Sequence, residues 1–245
     1  MKGVIIAGGK GKRLVPLTNK LPKPMLKVAG KPLLEHQINL FRKYKINKLL
    51  LCLHYLPEKI MGYFKNGSDF GVQLEYSVEK KPMGTAGALN LAKNLKNFFD
   101  HAFIAMYGDN FTNLNLKKLA DFHNRKKSFA TIVLYKKKLE EKSSSLIVKG
   151  KNSRIRKIVE GPDNRDLKNL KGKYKYVNAG IYVLEPEILK FIPKRKFDFA
   201  YDLFPVLLKK RQRVYGYDLP KGTILREIGT IKKLNSARKE LKVLK

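Results

Sequence analysis

The chain is poor in most of the features that mark a specialised class. It has one cysteine, Cys52, in 245 residues. No disulfide framework can form within it, and a cytoplasmic setting is expected. Cys52 lies in the apolar run 49–53, where a small buried side chain is expected rather than a reactive thiol. No run approaches the ~20 apolar residues of a membrane span, so no membrane partner is expected. The short apolar stretch 4–7 leads straight into glycines, without a signal peptide's longer hydrophobic region and cleavage site, and reads as a first strand. Glycine (18) and proline (11) are too few for collagen-like or low-complexity sequence. The four histidines, His36, His54, His101 and His123, show no metal-ligand spacing and read as packing or surface residues.

Acidic residues are the scarcest group for the size. There are 20 against 53 lysines and arginines, a net charge of +33. Such a field attracts phosphorylated substrates, nucleic acids and anionic membranes alike. Only 11 of the basic residues are arginine, and 42 are lysine. They run along the whole chain, and arginine is not interleaved with aromatic residues. No specific nucleic-acid partner is therefore expected. The bland reading of the excess is a solvated, lysine-rich surface.

What is present is an alternation of strands and helices. Apolar β-branched runs predict strands over 4–7, 48–53, 72–78, 102–107 and 129–135. Helical periodicity predicts helices over 33–45, 58–64, 85–93 and 116–125. This order implies an α/β fold with a mostly parallel sheet covered on both faces. Ligands in such sheets sit at the carboxyl ends of the strands. After residue 135 the pattern changes. A polar, lysine-rich hairpin or loop is expected over 136–153, strands over 154–160 and 176–184, a charged connection over 164–173, and helices over 201–210 and 231–241. No linker or internal repeat is visible, so a single domain is expected.

Chemistry concentrates after the first strand, at Ala7-Gly8-Gly9-Lys10-Gly11-Lys12-Arg13-Leu14. Closely spaced glycines let backbone N–H groups approach a ligand and form an anion-binding nest. Lys10, Lys12 and Arg13 add positive charge where phosphates would lie. The loop is neither a P-loop, since Arg13 follows Gly11-Lys12 and Ile6 replaces the leading glycine, nor a dinucleotide fingerprint, since Leu14 stands where the last glycine belongs. Prolines 16, 22 and 24 then stiffen the chain and deny it helix. Lys23, between two of them, is presented on rigid backbone and suits neutralisation of transferring phosphates.

These residues resemble the sugar-1-phosphate nucleotidyltransferases, or nucleotide-sugar pyrophosphorylases. The family's opening signature is matched by Gly8-Gly9-Lys10-Gly11-Lys12-Arg13-Leu14-Val15-Pro16-Leu17-Thr18 and by Pro22-Lys23-Pro24-Met25-Leu26. Further likeness lies in Gly30-Lys31-Pro32, Glu79 to Ala88, Gly108-Asp109, Val177-Asn178-Ala179-Gly180 and Glu227-Ile228-Gly229-Thr230. Phe197 to Pro205 is similar to the mannose-1-phosphate guanylyltransferase branch. The resemblance covers essentially the whole chain.

It implies a Rossmann-like, mostly parallel mixed sheet of the nucleotide-diphospho-sugar transferase type. The domain would span 1–245, with 1–135 serving the nucleotide and 136–245 the sugar. It implies transfer of a nucleotidyl group to a sugar 1-phosphate, with pyrophosphate released and Mg²⁺ as cofactor. Ala7, Gly8, Gly9, Gly11, Lys12 and Arg13 would hold the nucleotide phosphates, with Glu79, Gly84 and Thr85 around the base and ribose. Arg13, Lys23 and Asp109 would be catalytic. Asp109 would bind the metal with Glu227, and Glu160 and Asn178 would contact the sugar. The favoured pair is GTP with mannose 1-phosphate. Glucose 1-phosphate with dTTP or UTP, and heptose 1-phosphate, are the alternatives. Relatives often form homo-oligomers. No hexapeptide repeat is present, so no fused β-helix domain is expected.

Three departures stand out. Glu227 occupies the place of an aspartate, Gly161 that of a lysine expected to meet the sugar phosphate, and Lys12 that of a threonine. Lys157 or Lys175 are the candidate substitutes for the lysine missing at 161. These departures favour a second reading, a catalytically weak regulatory subunit that binds nucleotide sugars.

Overall fold

The computed structural model describes residues 1–92, 95, 98–138, 141, 145–160 and 174–242. The strands are β1 (Lys2–Ile6), β2 (Lys27–Val28), β3 (Lys31–Pro32), β4 (Lys48–Leu53), β5 (Gln73–Val78), β6 (Phe103–Tyr107), β7 (Asn110–Thr112), β8 (Ala130–Lys138), β9 (Ser145–Lys149), β10 (Ile155–Glu160), β11 (Tyr174–Leu184), β12 (Val214–Asp218) and β13 (Leu225–Glu227). The helices are α1 (Leu33–Lys43), α2 (Pro57–Phe64), α3 (Gly84–Leu91), α4 (Leu116–Arg125), α5 (Phe204–Lys209) and α6 (Ile231–Lys242). The fold is α/β with a mainly parallel central sheet, as the strand–helix alternation predicts. No helix among the described residues is long and apolar enough to cross a membrane.

The chain divides into two compact units, each assembled from separated segments. The first holds Met1–Pro82, Ile104–Leu116 and Gly222–Lys245. In it β1 pairs parallel with β4, and β4 parallel with β5, while β6 lies on the other side of β1. The buried faces of β1 and β4 are continuous (Val4, Ile5 and Leu49 to Leu53), as sheets covered on both sides require. Cys52 is buried there, and burial, followed by the charge of Glu79, pushes its thiol pKa far up. It is an inert core residue.

A second core in this unit joins distant parts of the sequence. Leu14, Leu26, Val28 and Leu33 from the N-terminal region pack with Ile228, Leu234, Ala237 and Leu241. Burying one such leucine contributes roughly 1.5–3 kcal/mol. That core anchors the far side of the glycine loop, the Pro22-Lys23-Pro24 segment and α6 against one another.

The second unit holds Met83–Phe103 and Lys117–Lys221. Here β11 runs antiparallel to both β8 and β9, β9 antiparallel to β10, and β12 parallel to β8. Two expectations are refined. The polar stretch expected as a hairpin or loop over 136–153 contains the end of β8 and all of β9, which turns back antiparallel onto β10. Its one apolar run, Leu146-Ile147-Val148, is too short to reveal a strand without its sheet neighbours. The helix expected over 201–210 is a π-type turn over Phe199–Leu203 followed by α5. The charged connection over 164–173, Gly161 and the side chain of Glu160 lie outside the described residues.

Candidate functional site

The glycine loop leaves β1 at Ala7, whose N–H still donates to the Cys52 carbonyl at 2.8 Å. Beyond it the backbone N–H groups of Gly8, Gly9, Lys10 and Gly11 donate to nothing among the described residues. These unused donors leave the loop able to accept an anionic ligand. The loop is braced from behind. Thr18 Oγ1 donates to the Gly11 carbonyl at 3.0 Å, and Tyr55 Oη to the carbonyls of Thr18 and Asn19 at 2.9 and 3.1 Å. Lys10 lies 5.5 Å from the centre of the Tyr55 ring. Lys12 and Arg13 follow in a short 3₁₀ turn and are exposed, Arg13 with 70% of its side chain accessible. Glu79 joins the loop from the end of β5. It is buried, and its Oε2 lies 3.5 Å from where a Cβ on Gly8 would sit.

Asp109 follows β6 and Gly108, at a strand's carboxyl end, as the sequence reading places it. Its Oδ2 accepts from Lys23 Nζ at 2.5 Å, with side-chain exposures of 24% and 13%. Its Oδ1 is buried and has no hydrogen-bond partner among the described residues. A half-satisfied carboxylate beside a lysine is costly to keep unless a cation completes it. The turn carrying Asp109 is clamped by a residue the sequence reading passed over. Gln37, buried on α1, donates from Nε2 to the carbonyls of Tyr107 (2.8 Å) and Asn110 (2.7 Å). Its only sequence signal is an amide on the apolar face of a helix.

Glu227 lies beside Asp109 through the pairing of β13 with β7. Glu227 sits opposite Asn110, and the Ile228 N–H donates to the Asp109 carbonyl at 2.8 Å. Its Oε2 accepts from Lys233 of α6, and its Oε1 lies 3.8 Å from Arg13. Burial pushes the Glu227 pKa up. The Lys233 hydrogen bond and the charges of Lys233, Lys23 and Arg13 outweigh that and hold it below the usual glutamate value. At Gly229 a Cβ would press on the Glu227 carboxylate and come within 3.2 Å of Arg13 Nη2, so a larger residue there would displace these two side-chain ends. Lys233 is the second residue the sequence reading missed. A solvent-facing lysine on a lysine-rich helix carries no distinguishing signal.

No three histidine, cysteine, aspartate or glutamate side chains converge into a metal cluster among the described residues. The fit to a divalent cation rests instead on the unpartnered Oδ1 of Asp109, with Glu227 on the neighbouring strand. Two carboxylates completed by substrate oxygens suit a hard cation.

The second unit carries the remaining sequence-predicted residues. Gly84 opens α3 at φ +79°, and a Cβ there would stand 2.7 Å from the Phe197 carbonyl oxygen. Only glycine satisfies both conditions. Thr85 is committed locally. Its N–H and Oγ1 donate to Asp198 Oδ1 at 2.9 and 3.1 Å, and its Oγ1 accepts from the Phe199 N–H at 3.0 Å. Asn178 sits where the register of β11 against β8 shifts, a bulge that re-aims side chains. Its Oδ1 accepts from the Gly180 N–H at 2.9 Å, and its Nδ2 donates to Tyr182 Oη at 3.0 Å. Lys175 is buried and donates to the Glu141 carbonyl at 2.5 Å, while Lys157 is exposed on β10.

The chain is 32% identical over 230 residues to a UTP–glucose-1-phosphate uridylyltransferase of Synechocystis, covering 89% of this chain and 58% of that protein. It is 33% identical over 227 residues to a mannose-1-phosphate guanyltransferase of Candida albicans, covering 89% and 59%. It thus spans under two thirds of the length of these relatives. HddC from Yersinia pseudotuberculosis, solved with GMP-PN, shares the fold with a TM-score of 0.79 at 23% identity, over 98% of this chain and 99% of that one. The nucleotidyl transferase family model matches residues 2–242. The chain therefore belongs to the nucleotidyl transferase family.

Proposed function

We propose that the chain transfers a nucleotidyl group from a nucleoside triphosphate to a sugar 1-phosphate, giving a nucleotide sugar and pyrophosphate. The observation that carries this reading is the grouping, in one unit, of free loop N–H groups, Arg13, Lys23 and the half-satisfied Asp109. In the reaction an oxygen of the sugar phosphate forms a bond to the α-phosphorus, and the bond from that phosphorus to the bridging oxygen breaks in line. Such chemistry needs positioning and charge neutralisation more than covalent help. The loop N–H groups and Arg13 hold the triphosphate, and Lys23 offsets charge developing on the transferring phosphate. Asp109 and Glu227 would hold a divalent ion, proposed as Mg²⁺, which supplies further charge neutralisation. Glu79, Gly84 and Thr85 are assigned to the base and ribose, and Glu160 and Asn178 to the sugar. Residues 1–245 are taken to work as one nucleotidyltransferase domain.

For substrates we favour GTP and mannose 1-phosphate. Support comes from the segment 197–205 and from the guanyltransferases among the relatives. The uridylyltransferase relative supports UTP with glucose 1-phosphate as the competing pair. The test is pyrophosphate release over GTP, ATP, UTP and dTTP with several sugar phosphates and Mg²⁺. The fastest release is expected for GTP with mannose 1-phosphate, and a preference for UTP or dTTP with glucose 1-phosphate overturns the guanylyl assignment. Nucleotide-sugar binding without turnover would support the regulatory-subunit reading, which Glu227 in place of aspartate favours.

A further inference from the structure

The second unit contains a cavity of about 490 Å³ that the proposed reaction does not use. It is lined by Arg154, Ile155, Arg156, Leu208, Arg211 and Gln212. Three of the chain's 11 arginines therefore meet in one place, in a protein whose other cations are overwhelmingly lysine. None of the three guanidinium groups is ion-paired among the described residues.

The pocket opens to solvent, with Arg156 and Arg211 exposed, and its lining is tied together. Arg154 Nη2 donates to the carbonyls of Arg211 and Gln212 at 3.2 and 3.1 Å, and its guanidinium lies 5.7 Å from the Tyr215 ring centre. Arg156 lies across Gly150, where a Cβ would come within 2.8 Å of its Nε. Arg211 follows α5 in a left-handed conformation, φ +55°, that a glycine would take at less cost. Ile155 is buried and forms apolar lining with Leu208.

Planar guanidiniums bind phosphoryl oxygens through paired donors and lose less hydration in doing so than an ammonium does. Three of them exceed the charge of one phosphate, about −1.5 to −2. The volume lies within the range of small-molecule sites, about 300–1,000 Å³. We propose that this cavity is a second anion site that takes a diphosphate group, separate from the glycine loop. That group is either free pyrophosphate or the diphosphate of a nucleotide.

The test is arginine footprinting of the full chain. Phenylglyoxal modification of each arginine is followed by peptide mass spectrometry, in Mg²⁺-free buffer, with inorganic pyrophosphate in one arm and GDP in the other. At about ten times the half-protecting concentration, occupancy leaves roughly a tenth of the sites open, so modification of Arg156 and Arg211 slows about tenfold. Exposed Arg42 and Arg195 keep their rates. Protection by pyrophosphate alone assigns the free ion, and stronger protection by GDP assigns the nucleotide. Arg211→Gly removes a guanidinium at a position glycine favours, so folding is retained. It should raise the half-protecting concentration at Arg156 about tenfold or more. Absence of protection in both arms, equal slowing at Arg42 and Arg195, or unchanged protection of Arg156 in Arg211→Gly overturns the proposal. Arg13 reports on the glycine loop in the same experiment, so failure there is separable from failure here.

Discussion

Replacing Asp109 by asparagine separates chemistry from stability. The substitution keeps the shape and removes the charge. Its effect on folding is the difference of two opposing changes. The hydrogen bond from Lys23 keeps its charged donor but loses the charged acceptor, and so falls toward the lower end of about 1.5–3 kcal/mol. Against that, the buried, unpartnered Oδ1 no longer belongs to a charged group, which relieves part of its desolvation cost. Lys23 and Asp109 are partly accessible, at 13% and 24%, so water screens both changes. The net loss should stay within about 2 kcal/mol, a fall in melting temperature of no more than about 8 °C for a chain of this size. Activity should respond very differently. Loss of a metal-ligating charge where phosphate charge develops should lower turnover by at least about 10²-fold. The assay is pyrophosphate release against Mg²⁺ concentration, with thermal unfolding of the same samples. A normal metal titration in Asp109→Asn refutes the ligand role. A melting temperature lowered by much more than 8 °C refutes the balance drawn here.

Arg13→Ala should lower turnover by on the order of 10²-fold. Its exposed ion pair with Glu227 at 3.8 Å contributes under about 1 kcal/mol, so thermal unfolding should barely change. Gln37→Met removes two hydrogen bonds that clamp the Asp109 turn, each worth about 0.5–1.5 kcal/mol. Urea unfolding should read a loss of about 1–3 kcal/mol, together with a raised Mg²⁺ requirement. An unchanged requirement would make the clamp purely structural. His123 is buried between Thr131 and Glu185. Burial lowers its pKa below 6.5, and the Glu185 hydrogen bond and charge oppose that only in part. The unfolded chain therefore takes up the proton first as pH falls below 6.5, and stability drops in that window. Urea unfolding above and below pH 6.5 should show a fall in the wild type and a smaller one in His123→Gln.

Legibility followed the range of the interactions. The glycine loop, the rigid Lys23 and Asp109 after a buried strand are local features, and the described structure joins them in one unit. Lys23 and Asp109 are 86 residues apart, yet each could be singled out because its own neighbours are unusual. Gln37 could not, since its partners lie 70 and 73 residues away and its helix looks ordinary without them. The same holds for β9, whose few apolar residues become a strand only between β10 and β11.

By itself the sequence determined the α/β class, the glycine loop with its cations and the identity of the acid at the strand end. Backbone freedom, stiffness and side-chain charge are properties of neighbouring residues. Only the tertiary structure decided that Glu227 is held by Lys233 and Arg13, that Asp109 keeps one oxygen unpartnered, and that three arginines share a cavity. Those outcomes depend on which distant segments the hydrophobic core brings together, and no local pattern of residues encodes that pairing.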